Sequence, residues 1–224
     1  MAMREVLRES TVAYTQRYGE SVSVVAVGGV EAARRVREGE AFDFVVLAAD
    51  VIEQLAEIGR VHRGSRTGLA RSDIALAVAA GAPRPDMHDE HALRDAILRA
   101  RSIGYSTGPS GSHLLHLLAR WGIGDAVEKR LVQASPGIPV AMLIAQGDAE
   151  LGFQQLSELM HAPGIDVVGA LPQEIQKATI FAAAVCTAAM RPGPANALLA
   201  YLASAAADGA RRRHGMQAVR AARA

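Results

Sequence analysis

The chain has 224 residues, half of them hydrophobic and only 4% aromatic, with a formal net charge of +1. This balance excludes a disordered or fibrous protein and gives no long-range attraction for nucleic acid, whose binders concentrate basic residues and interleave them with aromatics. No run of about 18 apolar residues is present, the start MAMREVLRES has no apolar signal core, and the lone Cys186 permits no intramolecular disulfide and reads as a small core hydrophobe.

Apolar residues at near-helical spacing over residues 3–18, followed by Gly19, predict an opening helix with a glycine cap. Strand-like runs follow at VSVVAV (22–27), DFVVL (43–47), DIALAVAA (73–80), SIGYS (102–106), KRLVQ (129–133), AELGF (149–153), IDVVG (165–169) and TIFAAAVCT (179–187). Helical segments lie between most of them, among them EAARRVREG and VIEQLAEIG, the second with Asp50 as its expected N-cap. Such alternation of helices with continuously apolar strands predicts α/β architecture with mostly parallel sheets covered on both faces. The runs at 73–80 and 179–187 read as two crossings between lobes, which makes 79–178 an inserted lobe and 1–78 with 179–224 the other. Arg211, Arg212, Arg213 and His214, with Arg220 and Arg223, read as a solvated basic helix end.

The stretch IGYSTGPSGSHLLHLL (103–118) is the richest in chemistry, because a short strand runs through a Gly/Ser/Thr/Pro loop straight into a helix. The free N–H groups of a helix's first turn and the positive end of its dipole favour an anion there, with the hydroxyls of Ser106, Thr107 and Ser110 close by. The loop has neither the Lys-Ser/Thr ending of a P-loop nor the glycine spacing of a dinucleotide fingerprint, so a smaller anion is expected. The plain alternative is a tight turn in which Ser110 or Ser112 is an ordinary N-cap. Two further connections resemble it: Gly28 and Gly29 before EAARRVREG, and Ser135, Pro136 and Gly137 before IPVAMLIAQG.

Taken together, VGGVEAARRVREGEAFDFVVLAADVIEQLAEIGRV, GSRTGLARSDIALAVAAGAPRPD, SIGYSTGPSG, IAQGDAELGFQQLSEL and GIDVVGALPQEIQ resemble, in order and spacing, the type II periplasmic binding proteins of the molybdate-binding-protein-like extracellular solute-binding family. The resemblance implies two doubly wound α/β lobes joined by a two-strand hinge, a small anionic ligand, an ABC transporter permease as partner and a periplasmic location. The sequence as written lacks a leader and by itself reads as cytoplasmic. Carried over position by position, ligand contacts fall on Gly28 and Gly29, on the backbone of Ala48 and Ala49, on Ser106, Thr107, Gly108, Ser110 and Gly111, on Pro136 with Gly137, and on Gln154 with Gln155 as amide donors. The plain reading of Gln154, Gln155 and Ser157 is that they start the helix LSELM. Relatives begin with a strand and a Ser-rich turn, whereas this sequence begins at the turn. Either its start is placed late, or a central strand is missing and something such as a homodimer must compensate.

For chemistry the sequence offers little. His113 with His116, and His88 and His91 beside Asp86 and Asp89, have spacing compatible with metal ligation but no evident third and fourth ligands, so no metal or cofactor is expected. Glu158 reads as a surface helix residue. The expectation is a binding protein with no catalytic residue. The alternative is an isomerase of a small unsaturated polycarboxylate such as aconitate, with Tyr105, Ser106 or Ser110 handling protons and Arg4 and Arg71 pairing carboxylates.

Overall fold

A computed structural model describes residues 2–219, which form two compact units. Unit 1 is built from the residues up to Ser72 together with those from Ile180 onward, and unit 2 is Asp73–Thr179. The chain therefore passes between the units twice, after Ser72 and after Thr179, so the apolar run at 73–80 lies wholly in unit 2 and not before a boundary at 78/79. Met1, Arg220 and Arg223 lie outside the described residues.

Unit 1 opens with α1 (Arg4–Tyr18), which ends at Gly19 in the left-handed region, and continues through α2 (Gly29–Arg37), β1 (Phe44–Ala48), α3 (Ala49–Glu57) and β2 (Thr67–Ser72). Unit 2 follows with β3 (Ile74–Ala79), α4 (Glu90–Arg99), β4 (Ile103–Tyr105), α5 (Pro109–Arg120) and α6 (Gly124–Val127). It is completed by β5 (Leu131–Gln133), α7 (Val140–Gln146), β6 (Leu151–Gln155), α8 (Leu156–Leu159) and β7 (Ile165–Ala170). The chain returns to unit 1 through β8 (Thr179–Val185), α9 (Pro192–Ala203), α10 (Asp208–Arg213) and β9 (Met216–Gln217).

The unit 1 sheet has the order β1-β8-β2-β9 and the unit 2 sheet the order β5-β4-β6-β3-β7. Both are α/β sheets, with strand directions mixed: β1–β8, β2–β9, β3–β6 and β3–β7 are antiparallel, while β4 runs parallel to both β5 and β6. The long strands β3 and β8 run against β6, β7 and β1 because each enters its unit from outside rather than from one of that unit's own crossover helices.

Alternation along the central strands explains why they read as continuously apolar. Phe181, Ala183 and Val185 of β8 join a core with α1, α9 and α10, while Ala182, Ala184 and Cys186 join another with α2 and α3. In unit 2, Ile74, Leu76 and Val78 of β3 pack with residues of α4 and α5, and Ala75 and Ala77 pack with residues of α7. A strand covered by helices on both faces has no face left for polar residues.

Three local expectations are corrected. The run at 22–27 forms no strand: Val22 and Val24 lean on the α1-side core and Val25 is exposed, but the segment is in no ladder. β-propensity describes fit to a paired, half-buried surface, and this segment has no partner strand among the described residues. Asp50 is not the N-cap of α3. Ala48 holds that position without a side-chain bond, and Asp50 sits in the first turn, where it favours the positive helix end. Arg211 is not solvated but 2% exposed, bound to three backbone carbonyls and to Asp208.

Cys186 lies in the core as expected, and burial, with Asp43 nearby, pushes its thiol up to about 11. At pH 8 the folded protein should leave Cys186 unmodified by a thiol reagent on the timescale in which the denatured chain takes up one equivalent. Rapid native-state labelling would contradict its placement.

Candidate functional site

In unit 2 the parallel strands β5, β4 and β6 lie side by side, with Tyr105 of β4 opposite Gln133 on one side and Phe153 on the other. Their C-terminal ends therefore share one sheet edge. The connections that leave it are Ser106–Gly108, residues 134–139 and the junction at Gln155, so three predicted segments come together. The carboxyl edge of parallel strands is where α/β sheets characteristically hold ligands.

The β4–α5 connection is the best formed of the three. Gly108, not Ser110 or Ser112, is the N-cap, with no side-chain cap bond, and Pro109 follows at the first helical position. Ser110 is 1% exposed, and its Oγ lies 3.0 Å from that of Ser106, whose oxygen accepts from the Gly108 N–H at 3.2 Å. Gly111 is demanded by close approach: a Cβ there would overlap the Ser106 carbonyl oxygen and come within 2.8 Å of the carbonyl carbon. The first turn of this 12-residue helix thus presents backbone N–H groups and two ordered hydroxyls at the shared edge. Thr107 lies in the same loop.

The other two connections serve mainly structural ends. Gly137 has φ +84°, so it is the turn residue of the β5–α7 loop, with Pro136 before it. The N–H of Val140, the first residue of the seven-residue α7, is already taken by the Gln154 side-chain oxygen Oε1 at 2.9 Å. Gln154 therefore accepts from the backbone through its side-chain oxygen while its amide donates to the Glu158 carboxyl, and it belongs to a strand rather than to a helix start. Gln155 ends β6 at 2% exposure, and its Nε2 donates to Thr179 Oγ1 at 2.8 Å.

Glu158 corrects the surface reading. It is partly buried in α8, just beyond Gln155, and desolvation raises its carboxyl above the usual range against a lowering interaction with the Gln154 side chain. Sequence position missed it because a short helix following a buried strand presents its polar residues inward.

In unit 1, Gly28 and Ala48 are the N-caps of α2 and α3. A Cβ on Gly29 would lie 3.7 Å from Leu47 Cδ2, so the start of α2 adjoins the end of β1, where α3 begins. Arg4 is exposed on α1 beside Glu5 at 3.7 Å, and Arg71 sits on β2 opposite Gln217, both within unit 1. A shallow unit 1 cavity of about 520 Å³, lined by His62, Arg63, Ser65 and Asn196 among others, contains none of the predicted residues.

The histidine pairs have local roles. His88 Nδ1 lies 2.8 Å from Asp86, and Asp89 caps α4 by accepting from Ala92 N at 2.8 Å. Among the described residues no group of three or more His, Cys, Asp or Glu side chains is placed to hold a metal ion, and no helix is long and apolar enough to cross a membrane. His113 shares its Nε2 with the Ile175 carbonyl at 2.7 Å, and burial lowers its pKa, helped by Lys177, His116 and Arg120 and opposed by the carbonyl bond. A histidine kept neutral by the fold favours unfolding once the free imidazole protonates. Stability contributed at this site is therefore present above about pH 6.5 and lost as the pH falls below it. His113→Asn should flatten the decline in melting temperature between pH 7 and pH 5, and an unchanged slope would remove His113 from that decline.

Two α/β units crossed twice by the chain, with helix starts and hydroxyls gathered at a strand-end edge, define the class of two-lobed solute-binding proteins. The family model for bacterial extracellular solute-binding proteins matches residues 1–217. The chain belongs to this family. It is 36% identical over 203 residues to an aconitate isomerase from a Pseudomonas species, covering 88% of this chain and 78% of that protein. Its fold matches the periplasmic molybdate-binding protein of Azotobacter vinelandii with TM-score 0.82 at 18% identity, covering 98% and 96% of the two chains. The substrate-binding domain of a putative molybdenum ABC transporter from Clostridium difficile matches with TM-score 0.74 at 16% identity, covering 98% and 96%.

Proposed function

We propose that this protein binds a small organic acid, a di- or tricarboxylate, for delivery to an ABC-type permease on the outer side of the cytoplasmic membrane. The observation that carries the reading is the α5 start, where the buried Ser110, the Ser106 hydroxyl and the N–H groups around Gly111 form a neutral donor set at a sheet edge. Neutral donors and a helix dipole stabilise a carboxylate without needing a counter-charge. Gly28, Gly29, Ala48 and Ala49, at the starts of α2 and α3, supply further backbone donors. A carboxylate is preferred over molybdate because the relative with the greater identity acts on one.

Calorimetry on the purified chain with aconitate, citrate and molybdate tests the reading, and failure of all three to bind would end it. Gly108→Val should weaken carboxylate affinity with no change in the folded spectrum, since the position has ordinary space around it, with Ser106 Oγ at 3.6 Å from a built Cβ. Unchanged affinity would take the loop out of the site. Fractionation of the native host tests the periplasmic location, which the protein's presence in the cytosol would refute.

A second reading is favoured by the isomerase relative together with Glu158. Moving a double bond between carbons of aconitate requires a group that takes a proton from one carbon and returns one to another, and a carboxyl whose pKa burial raises is a stronger base for that exchange than an exposed one. In this reading Glu158 handles the proton while the α5 start holds a carboxylate. Conversion of trans-aconitate followed by chromatography, abolished in Glu158→Gln with binding retained, would establish it. Absence of turnover in the wild-type chain would leave binding as the function.

A further inference from the structure

Within unit 2 one polar atom at the site edge is left without a partner. Gln155 is 2% exposed, its Nε2 donates to Thr179 Oγ1 at 2.8 Å, and its Oε1 is buried with no hydrogen-bond partner among the described residues. A buried carbonyl with nothing to accept is costly, and such atoms persist where a ligand completes them.

Strand geometry places this atom on the side of the sheet that carries α5. Side chains alternate along β6, so Gln155 shares a face with Phe153, which packs in one core with Leu114 and Leu117 of α5. Gln154 points to the other face, where Val140 occupies it. Phe153 is level with Tyr105 of β4, so Gln155 stands further toward the edge, at the level where Ser106–Gly108 lead into α5. The structure turns the amide so that its nitrogen faces Thr179 and its oxygen is left without a donor.

The edge therefore has two unlike demands. The α5 start stabilises a negative oxygen, while Gln155 Oε1 repels one and asks for a hydrogen-bond donor. A fully deprotonated oxyanion meets only the first demand. Building on the organic-acid reading above, we infer that Gln155 Oε1 accepts a hydrogen bond from a hydroxyl on the guest, so that the preferred ligand is a hydroxy-carboxylic acid. Thr179 acts as the positioning residue that keeps the amide N–H groups turned away from the guest.

The test is titration calorimetry on the full chain with two pairs of acids differing only in a hydroxyl: malate against succinate, and citrate against propane-1,2,3-tricarboxylate. The wild type should bind the hydroxylated member of a pair at least about tenfold more tightly, because an acceptor left buried and empty penalises the analogue. Gln155→Met should bring the two members of each pair to equal affinity. Thr179→Val frees the amide to present N–H to the guest, and should move the preference toward the acid without the hydroxyl. It decides the matter if Gln155→Met does not fold. Equal affinities within each pair on the wild type, or a preference that survives Gln155→Met in a folded protein, would overturn the inference while leaving organic-acid binding intact. Failure of all four acids to bind the wild type would overturn both.

Discussion

Gly111→Ala should cost unit 2 roughly 3 kcal/mol, the upper part of the range for forcing an extra methyl group into a filled space. The added Cβ has nowhere to go: it would overlap the Ser106 carbonyl oxygen, lie 2.8 Å from the carbonyl carbon and 3.0 Å from the Tyr105 ring. Two of these three atoms are backbone, so relief requires moving the β4–α5 connection itself rather than rotating a side chain. That movement would separate the Ser106 and Ser110 hydroxyls, now 3.0 Å apart, and turn the first N–H groups of α5 away from the sheet edge. Loss of ligand affinity by more than about tenfold should therefore accompany a melting temperature lowered by on the order of 10 °C. Gly108→Ala is the control, because the nearest atom to its built Cβ is the Ser106 hydroxyl at an ordinary 3.6 Å. A Gly111→Ala variant as stable and as tightly binding as Gly108→Ala would show that this close approach is not what shapes the loop.

The second large effect lies in unit 1. Arg211→Met should destabilise the protein by about 3–5 kcal/mol, the range for removing one member of a buried, charged hydrogen-bond network. The guanidinium reaches the Leu69 carbonyl on β2 at 3.1 Å, the Leu202 and Ser204 carbonyls at 2.6 Å each, and Asp208 at 2.6 Å. The Leu202 and Ser204 carbonyls lie at the end of α9, where intrahelical donors have run out, so one side chain caps α9, ties it to β2 and holds the start of α10. Methionine fills comparable space but leaves three carbonyls and a carboxylate without these donors. Arg211→Lys should recover little of the loss, since a single ammonium cannot span the fork that a planar guanidinium provides. Urea denaturation of both variants gives the measurement, and a loss below about 1 kcal/mol for Arg211→Met would mean that water replaces the guanidinium at this helix end.

The candidate edge in unit 2 was only partly legible in the residues. The loop from Ser106 to Gly111 announced itself, because a strand, a Gly/Ser/Pro turn and a helix follow one another within a few positions and each step has a local cause. The roles of Gln154, Gln155 and Glu158 did not, since they depend on which face of β6 each side chain takes and on what packs there. Gln154 reaches the start of α7 and Gln155 reaches Thr179, 14 and 24 residues away along the chain. Arg211 misled for the same reason: a run of arginines at a helix end ordinarily faces water, and nothing nearby in the chain tells that the first of them points inward to Leu69, 142 residues earlier.

By itself the sequence determined what local physics can specify: α1 with its glycine cap, the apolar strands that demand helices on both faces, and the strand–turn–helix passage from β4 into α5. Those features follow from periodicity and backbone freedom, both of which act over a few residues. Only the tertiary structure decided that 22–27 remains outside the sheet, that Arg211 is buried and that Gln155 carries an empty acceptor. A strand, a buried charge and an unpartnered oxygen are each defined by the presence or absence of a distant partner, and a linear pattern does not encode which residues meet.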